Sequence, residues 1–327
     1  MYANKPKLHA RQSDHRPGNL RTLAIDVTRA CNMHCDRCYA STFCESDELP
    51  VGCLDKALSE AHGMGVFHYV LQGGEPIMSP ERLAHIIQHV HPDESYINVV
   101  SNGWDMTMQR IQWLRSLGVD KISYSMDSGI AEEHDRLRGQ ESFNRVVKAI
   151  SDTLSSGLLS SISTVVTHDS LHSVGFLKAY EFAAFMGIRM DVQIVTPVGR
   201  LDGDTSALLT PDDVAWIDEL RKYSKTLPNG QKLVSRDLFC AGGKSCPAVR
   251  EFMAISVTGD FMPCNFLQFS LGNIRDKSLK EMRDGLLGNP WFQGCSQCLV
   301  GENKDFISRF ITPNTSKPKP LDASILE

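Results

Sequence analysis

Between residues 20 and 195 the chain repeats one short pattern six times. Each repeat is a run of five or six residues rich in β-branched or aromatic side chains, followed by a stretch with helical spacing. The runs fall at 23–27, 66–71, 96–100, 121–126, 161–166 and 190–195. Between them Leu83, Ile86, Ile87 and Val90 recur at i, i+3, i+4 and i+7, and so do Phe143, Val146, Val147 and Ile150. Pro80 suits a first helical turn, and Gly118 and Gly157 suit helix ends. Strands alternating with helices predict a parallel sheet covered by helices. Six units are too few for a closed barrel of about eight. The expected fold is therefore α/β, an open or partial (β/α)6 barrel, with ligands at the C-terminal ends of the strands.

The cysteines divide the chain. Of ten, five precede residue 54, five follow residue 239, and none lies between. There is no signal-peptide pattern at the N-terminus and no apolar run long enough to span a membrane. A cytoplasmic protein is expected, and ten cysteines there argue for metal or redox chemistry over disulfides. A net charge of −5 without blocks of like charge gives no reason to expect nucleic acid or an anionic membrane as partner.

Cys31, Cys35 and Cys38 form CxxxCxxC on the loop that leaves the first strand. Three thiolates on one short loop can hold three irons of a 4Fe–4S cluster and leave the fourth open to a chelating ligand. Zinc also takes cysteine, but structural zinc wants four ligands, commonly as two pairs. At the next three strand ends lie Gln72-Gly73-Gly74-Glu75-Pro76, Ser101-Asn102-Gly103 and Ser125-Met126-Asp127-Ser128, the last followed by Arg138. Each alone reads as a turn or a cap. Together they put polar groups on four successive strands at the end where a site belongs.

CNMHCDRCYA, QGGEP, SNG and YSMDS, in this order, resemble the radical S-adenosylmethionine (SAM) superfamily over roughly residues 20–200. The resemblance implies a partial (β/α)6 barrel. It also implies a 4Fe–4S cluster on the three cysteines, with SAM chelating the open iron. Reductive cleavage of SAM then gives a 5′-deoxyadenosyl radical that abstracts hydrogen from substrate. By position, Gly73, Gly74 and Glu75 would meet the SAM amino group, and Ser101 and Asn102 the ribose. Ser125, Asp127 and Arg138 would lie near the methionine or substrate end, and Val165 and Val166 beside the adenine. One departure from the family pattern is Arg37, where an aromatic residue is common; a guanidinium can stack on a π face, and Tyr39 is the alternative neighbour.

A second set, Cys246, Cys264, Cys295 and Cys298, has a turn glycine, Gly259, between its first two members and ends in CxxC. Four such ligands suit an iron–sulfur cluster, or zinc. With PVGR and LGNIRDKSLKEM, this set is similar to the SPASM/twitch extension of the same superfamily. The cysteine count fits the shorter twitch form, which implies one auxiliary 4Fe–4S cluster. Cys240 is then a fifth thiol: a ligand, a hydrogen donor as in radical SAM epimerases, or a buried residue. His85 and His89 stand at i, i+4, but the sequence reveals no third ligand beside them, so a helix-end role is expected.

The expected organisation is a polar N-terminal arm over 1–19, the barrel over 20–200, a linker with a helix over 201–235, a small cysteine-rich α+β twitch domain over 236–310, and a C-terminal tail over 311–327 with little regular structure. The expected activity is hydrogen abstraction from a C–H bond of a peptide or small metabolite, leading to dehydrogenation, epimerisation or crosslinking. A reduced flavodoxin or ferredoxin is implied as electron donor. With about 20 residues before the first strand, no leader-peptide module is expected there. The readings from other classes are a two-cluster electron carrier without catalysis and a zinc-binding structural protein.

Overall fold

The computed structural model describes residues 5–42, 48–236, 245–294 and 296–326; Cys44, Cys240 and Cys295 lie outside the described residues. Six strands, β1 (Thr22–Thr28), β2 (His68–Gly73), β3 (Tyr96–Ser101), β4 (Lys121–Ser125), β5 (Leu159–Val166) and β6 (Arg189–Ile194), pair in chain order and all in parallel. β7 (Val234–Arg236) extends the sheet parallel to β6. At the other edge β8 (Phe252–Ile255) pairs in parallel with β1, and β9 (Phe261–Met262) turns back antiparallel. The order is β7-β6-β5-β4-β3-β2-β1-β8-β9, with β7 and β9 at its edges, so the barrel is partial.

The helices are α1 (Pro6–Asp14), α2 (Leu54–Gly63), α3 (Pro80–His89), α4 (Met108–Ser116), α5 (Ala131–Arg138), α6 (Ser142–Ser155), α7 (His168–Leu171), α8 (Val174–Met186), α9 (Pro211–Tyr223) and α10 (Leu279–Leu287). Those that connect the strands cover the outer face of the sheet. Leu23, Ile25, Tyr69, Leu71, Ile97, Val99, Ile122, Ile162 and Val192 face them, fully buried. The alternate residues line a cavity instead: Thr22, Asp26 and Thr28 on β1, His68 and Gln72 on β2, Lys121, Ser123 and Ser125 on β4, and Arg189, Asp191 and Gln193 on β6. Strands buried on both faces read as continuous apolar runs. Here polar residues take most of the inward positions, with Val70, Val100 and Val165 among them, so the lumen is largely polar.

Two terminal segments differ from expectation. Within the N-terminal arm, α1 is a helix docked by Leu8, which is fully buried, and by Lys5. The Lys5 ammonium donates to the Ser95 and Gly118 carbonyls and lies 2.7 Å from the Asp120 carboxylate. Among the described residues Leu8 is the one buried side chain of α1, so apolar periodicity could not reveal the helix. The tail is also ordered: Leu321–Asp322 pairs in parallel with Phe269–Ser270, and Leu326 is buried. The cysteine-rich segment is joined to the barrel through the β1–β8 ladder. That pairing covers what would otherwise be an open sheet edge.

Candidate functional site

One cavity of about 1040 Å³ runs from the lumen to the loop after β1 and touches Cys31, Cys35 and Cys38. Burial pushes the Cys31 and Cys35 thiols up; at Cys35 the Arg138 guanidinium, with Nη1 3.9 Å from Sγ, offsets part of that. Among the described residues, Asp55, His85 and His89 are the set whose ligand atoms gather within 4.8 Å of one another. Cys31, Cys35 and Cys38 form no such set, so their sulfurs do not all converge as the ligands of one zinc ion would. Three cysteine donors set apart on a cavity rim fit a cluster better than a zinc ion.

The two glycines at the end of β2, Gly73 and Gly74, have a local cause. A Cβ on Gly74 would stand 2.3 Å from the Ala30 carbonyl oxygen, and one on Gly73, at φ +122°, 2.7 Å from that of Thr28. Gly74 N donates to Thr28 O at 2.7 Å, and Glu75 N to Ala30 O at 2.8 Å. The close approach they permit is therefore to the stem of the cysteine loop as well as to any ligand. Both glycines line the cavity.

Glu75 sits behind them, 1% exposed. Its carboxylate accepts from Ser101 Oγ at 2.9 Å and Asn102 N at 2.7 Å. Burial raises its pKa to about 7 against the pull of these hydrogen bonds. Asn102 lines the cavity and donates through Nδ2 to Asn32 of the cysteine loop. Glu75 thus ties the end of β2 to the end of β3, and Asn102 continues the tie to the cysteine loop.

Across the cavity, Asp127 accepts from Arg138 Nε at 2.7 Å and Nη2 at 3.2 Å, and from Val165 N at 3.0 Å. Burial pushes this carboxyl up, but Arg138 outweighs it and holds Asp127 below the usual carboxylate range. The pair locks the end of α5 onto β4 and β5, next to Cys35. Ser125 lines the same wall. Arg37 reaches over and donates to the Val165 carbonyl at 3.2 Å.

Val166 requires a correction. It is buried in the apolar layer between sheet and helices, whereas Val165 faces the cavity. Side chains alternate along β5, so only one of the two neighbours can face inward.

Tyr39 lines the cavity with its ring edge-on to Phe266, and its hydroxyl donates to Asp26 Oδ1 at 3.0 Å. Gln72 Nε2 donates to the same oxygen at 3.3 Å. Burial raises Asp26 to about 6, and burial and then Asp26 keep the Tyr39 phenol protonated. Sequence reasoning did not assign Asp26 a role. The available signal was an acid inside an apolar run, at a lumen-facing position.

In the C-terminal segment the β8–β9 hairpin turns at Gly259, φ +88°, and leads to Cys264, which is buried. Cys246 and Cys298 pack against the common core. Burial, then the neighbouring Cys246 sulfur, pushes the Cys298 thiol up. Cys240 and Cys295, assigned from sequence to this region, lie outside the described residues.

A partial barrel with three thiols at the mouth and polar strand ends around them defines a class. Residues 25–178 match the model of the radical SAM superfamily, and the chain belongs to it. Residues 246–298 match an iron–sulfur cluster-binding domain, SPASM, so the chain is a radical SAM enzyme with a SPASM/twitch-type extension. Its cofactors are SAM and 4Fe–4S clusters, one at the SAM site and one auxiliary.

The chain is 26% identical over 292 residues to an AdoMet-dependent heme synthase from Methanosarcina barkeri, covering 80% of this chain and 81% of that protein. It is 25% identical over 285 residues to the mycofactocin maturase MftC from Mycobacterium tuberculosis, covering 82% and 69%. In fold it resembles Streptococcus suis SuiB bound to the precursor peptide SuiA, with a TM-score of 0.63 at 17% identity over 88% of this chain and 70% of that one. No helix among the described residues is long and apolar enough to cross a membrane.

Proposed function

We propose that this enzyme takes a hydrogen atom from a C–H bond of a carboxylate-bearing substrate seated in the barrel lumen. The supporting observation is charge. Among the described residues around the cavity nine are Arg or Lys and three are Asp, in a chain whose net charge is −5. Several cations are partnered: Arg138 with Asp127, Lys121 and Arg189 with Asp191, Arg21 with Glu251, and Arg236 with Glu302. Arg29, Arg37, Arg200 and Arg221 also line the wall. A lining with more basic than acidic groups favours an anionic group on the substrate. A cleft with low-dielectric walls concentrates such a field.

When bound, the cluster and SAM supply the radical chemistry. The chain's own residues hold and orient the reactants. In this reading Cys31, Cys35 and Cys38 hold the cluster, and Gly73 and Gly74 offer backbone to the SAM amino group. Asn102, Ser125 and the Asp127–Arg138 pair flank the remainder of SAM, with Tyr39 and Val165 beyond. Cys246, Cys264, Cys295 and Cys298 would hold the auxiliary cluster, a second electron-transfer centre. Asp26, steadied by Tyr39 and Gln72, is placed to take up the proton a substrate releases on oxidation. A reduced flavodoxin or ferredoxin fits as electron donor. The named relatives act on peptides or make heme, and peptide C-termini and heme propionates both carry carboxylates.

The test is 5′-deoxyadenosine formation by anaerobically reconstituted enzyme under strong reductant. The probes are a glutamate-containing peptide and a propionate-bearing porphyrin, each with its methyl ester. Stimulation by a free acid and not by its ester is expected. Equal stimulation by acid and ester, or by neither, overturns the carboxylate reading. Absence of SAM cleavage with both clusters loaded overturns the enzyme reading in favour of an electron carrier.

A further inference from the structure

His85 and His89 lie one turn apart near the end of α3, and the fold brings Asp55, at the start of α2, against them. Ligand atoms of the three residues lie within 4.8 Å of one another. His85 Nε2 is 2.7 Å from Asp55 Oδ1, and His89 Nε2 is 3.8 Å from Asp55 Oδ2. The two rings stack with centroids 4.0 Å apart and planes 17° from parallel, so both Nε2 atoms point to the same carboxylate.

The hydrogen bonding prepares one of them. His89 Nδ1 is 2.8 Å from the His85 carbonyl oxygen. A carbonyl can only accept, so Nδ1 carries the proton and the neutral ring's lone pair is at Nε2, facing Asp55. A backbone carbonyl fixing the far nitrogen of an imidazole is the arrangement that orients histidines on metals. His85 makes no other side-chain hydrogen bond among the described residues. Its proton can therefore move from Nε2 to Nδ1 when a cation replaces it.

We infer that Asp55, His85 and His89 form a divalent transition-metal site, distinct from the cysteine sets, of the class that takes Zn²⁺. Two imidazoles and a carboxylate match zinc's ligand preference, whereas calcium and magnesium select oxygen donors. The side chains are 28%, 39% and 42% exposed for His85, His89 and Asp55, which leaves room for water as a fourth ligand. The nearest basic neighbour on α3, Arg82, turns its guanidinium inward to the Val27 and Leu49 carbonyls and does not compete for Asp55. An ion here would tie α2 to α3 across β2, steadying the two helices on either side of the strand that ends in Gly73. The inference is independent of the substrate reading.

The experiment is a calorimetric titration of ZnCl₂ into cluster-loaded enzyme, with iron content measured before and after so that zinc entering the cysteine sites is recognised. Wild type should bind about one zinc ion with constant iron and rise in Tm. His89→Ala and Asp55→Asn, both at exposed positions, should weaken that binding by at least about a hundredfold with iron unchanged. Unchanged zinc binding in either variant, or no binding by wild type at up to about 100 μM zinc, overturns the assignment.

Discussion

Replacing Gly74 by alanine tests whether the glycine pair seats the cysteine loop. The added Cβ would lie 2.3 Å from the Ala30 oxygen and 2.6 Å from that of Arg29. Ordinary contact begins at 3.4 Å, so the Ala30 oxygen must withdraw by about 1.1 Å, the difference of the two distances. Backbone on both sides leaves no flexible side chain to yield. Moving that far, the 2.8 Å bond from Glu75 N is lost, and the 2.7 Å bond from Gly74 N to Thr28 O is strained with it. At about 0.5–1.5 kcal/mol each, the two amount to about 1–3 kcal/mol.

If that energy is lost from the SAM-bound state, affinity falls about 5- to 150-fold. The assay is equilibrium dialysis of SAM against anaerobically reconstituted enzyme, with iron per chain determined on the same sample. Gly63→Ala is the control. Nothing lies within 4 Å of a Cβ there, and in α2 alanine should be neutral or stabilising by about 0.5–1 kcal/mol. Gly74→Ala that loads iron and binds SAM within about twofold of wild type, below one RT unit, would refute the loop-seat argument.

Three further outcomes are expected. Asp26 has its pKa raised to about 6 in the fold, so between about pH 4 and pH 6 the folded protein keeps a proton the unfolded chain has released, and stability falls as pH rises through that window. Asp26→Asn should therefore melt higher than wild type at about pH 8, by up to about 3 kcal/mol, and lose that advantage near pH 4; a pH-independent difference would exclude the mechanism. Arg138→Met strands a buried carboxylate and should cost about 3–5 kcal/mol near neutral pH. The penalty should shrink as acid protonates Asp127, and denaturant titrations at two pH values check both. Two 4Fe–4S clusters hold about eight irons. If Cys240→Ala retains them after reconstitution, Cys240 is no essential ligand and its hydrogen-donor role gains; a fall toward about four makes it a ligand of the auxiliary cluster.

What the residues disclose in advance depends on how local the cause is. The six strands and the covering helices are legible because apolar spacing along one segment reports its own buried face. The helix expected within 201–235 starts where Thr210 and Asp213 form a capping box around Pro211. Face is harder to read than existence: on β5 both Val165 and Val166 are apolar, and only the register of the sheet decides which meets the cavity. Contacts between distant segments left no local trace. Asp55 lies 30 residues from His85, so the histidine pair reads as a helix end until α2 and α3 are packed side by side. For the same reason the Glu75 motif suggests a ligand contact, while its partners Ser101 and Asn102 become evident only once β2 and β3 are neighbours.

The ladder between β1 and β8 also bears on how this molecule can be divided. Thr22 to Ile25 pair residue for residue with Phe252 to Ile255, so the strand leading into the cysteine loop is held from the far end of the polypeptide. Cutting the chain between the two family matches would bare a row of backbone donors and acceptors along β1, an invitation to self-association. The ladder closes a span of more than 200 residues, so its formation carries the loop-closure entropy of a highly non-local contact. The two iron–sulfur modules are therefore not interchangeable cassettes: the second is part of the wall that keeps the first in shape.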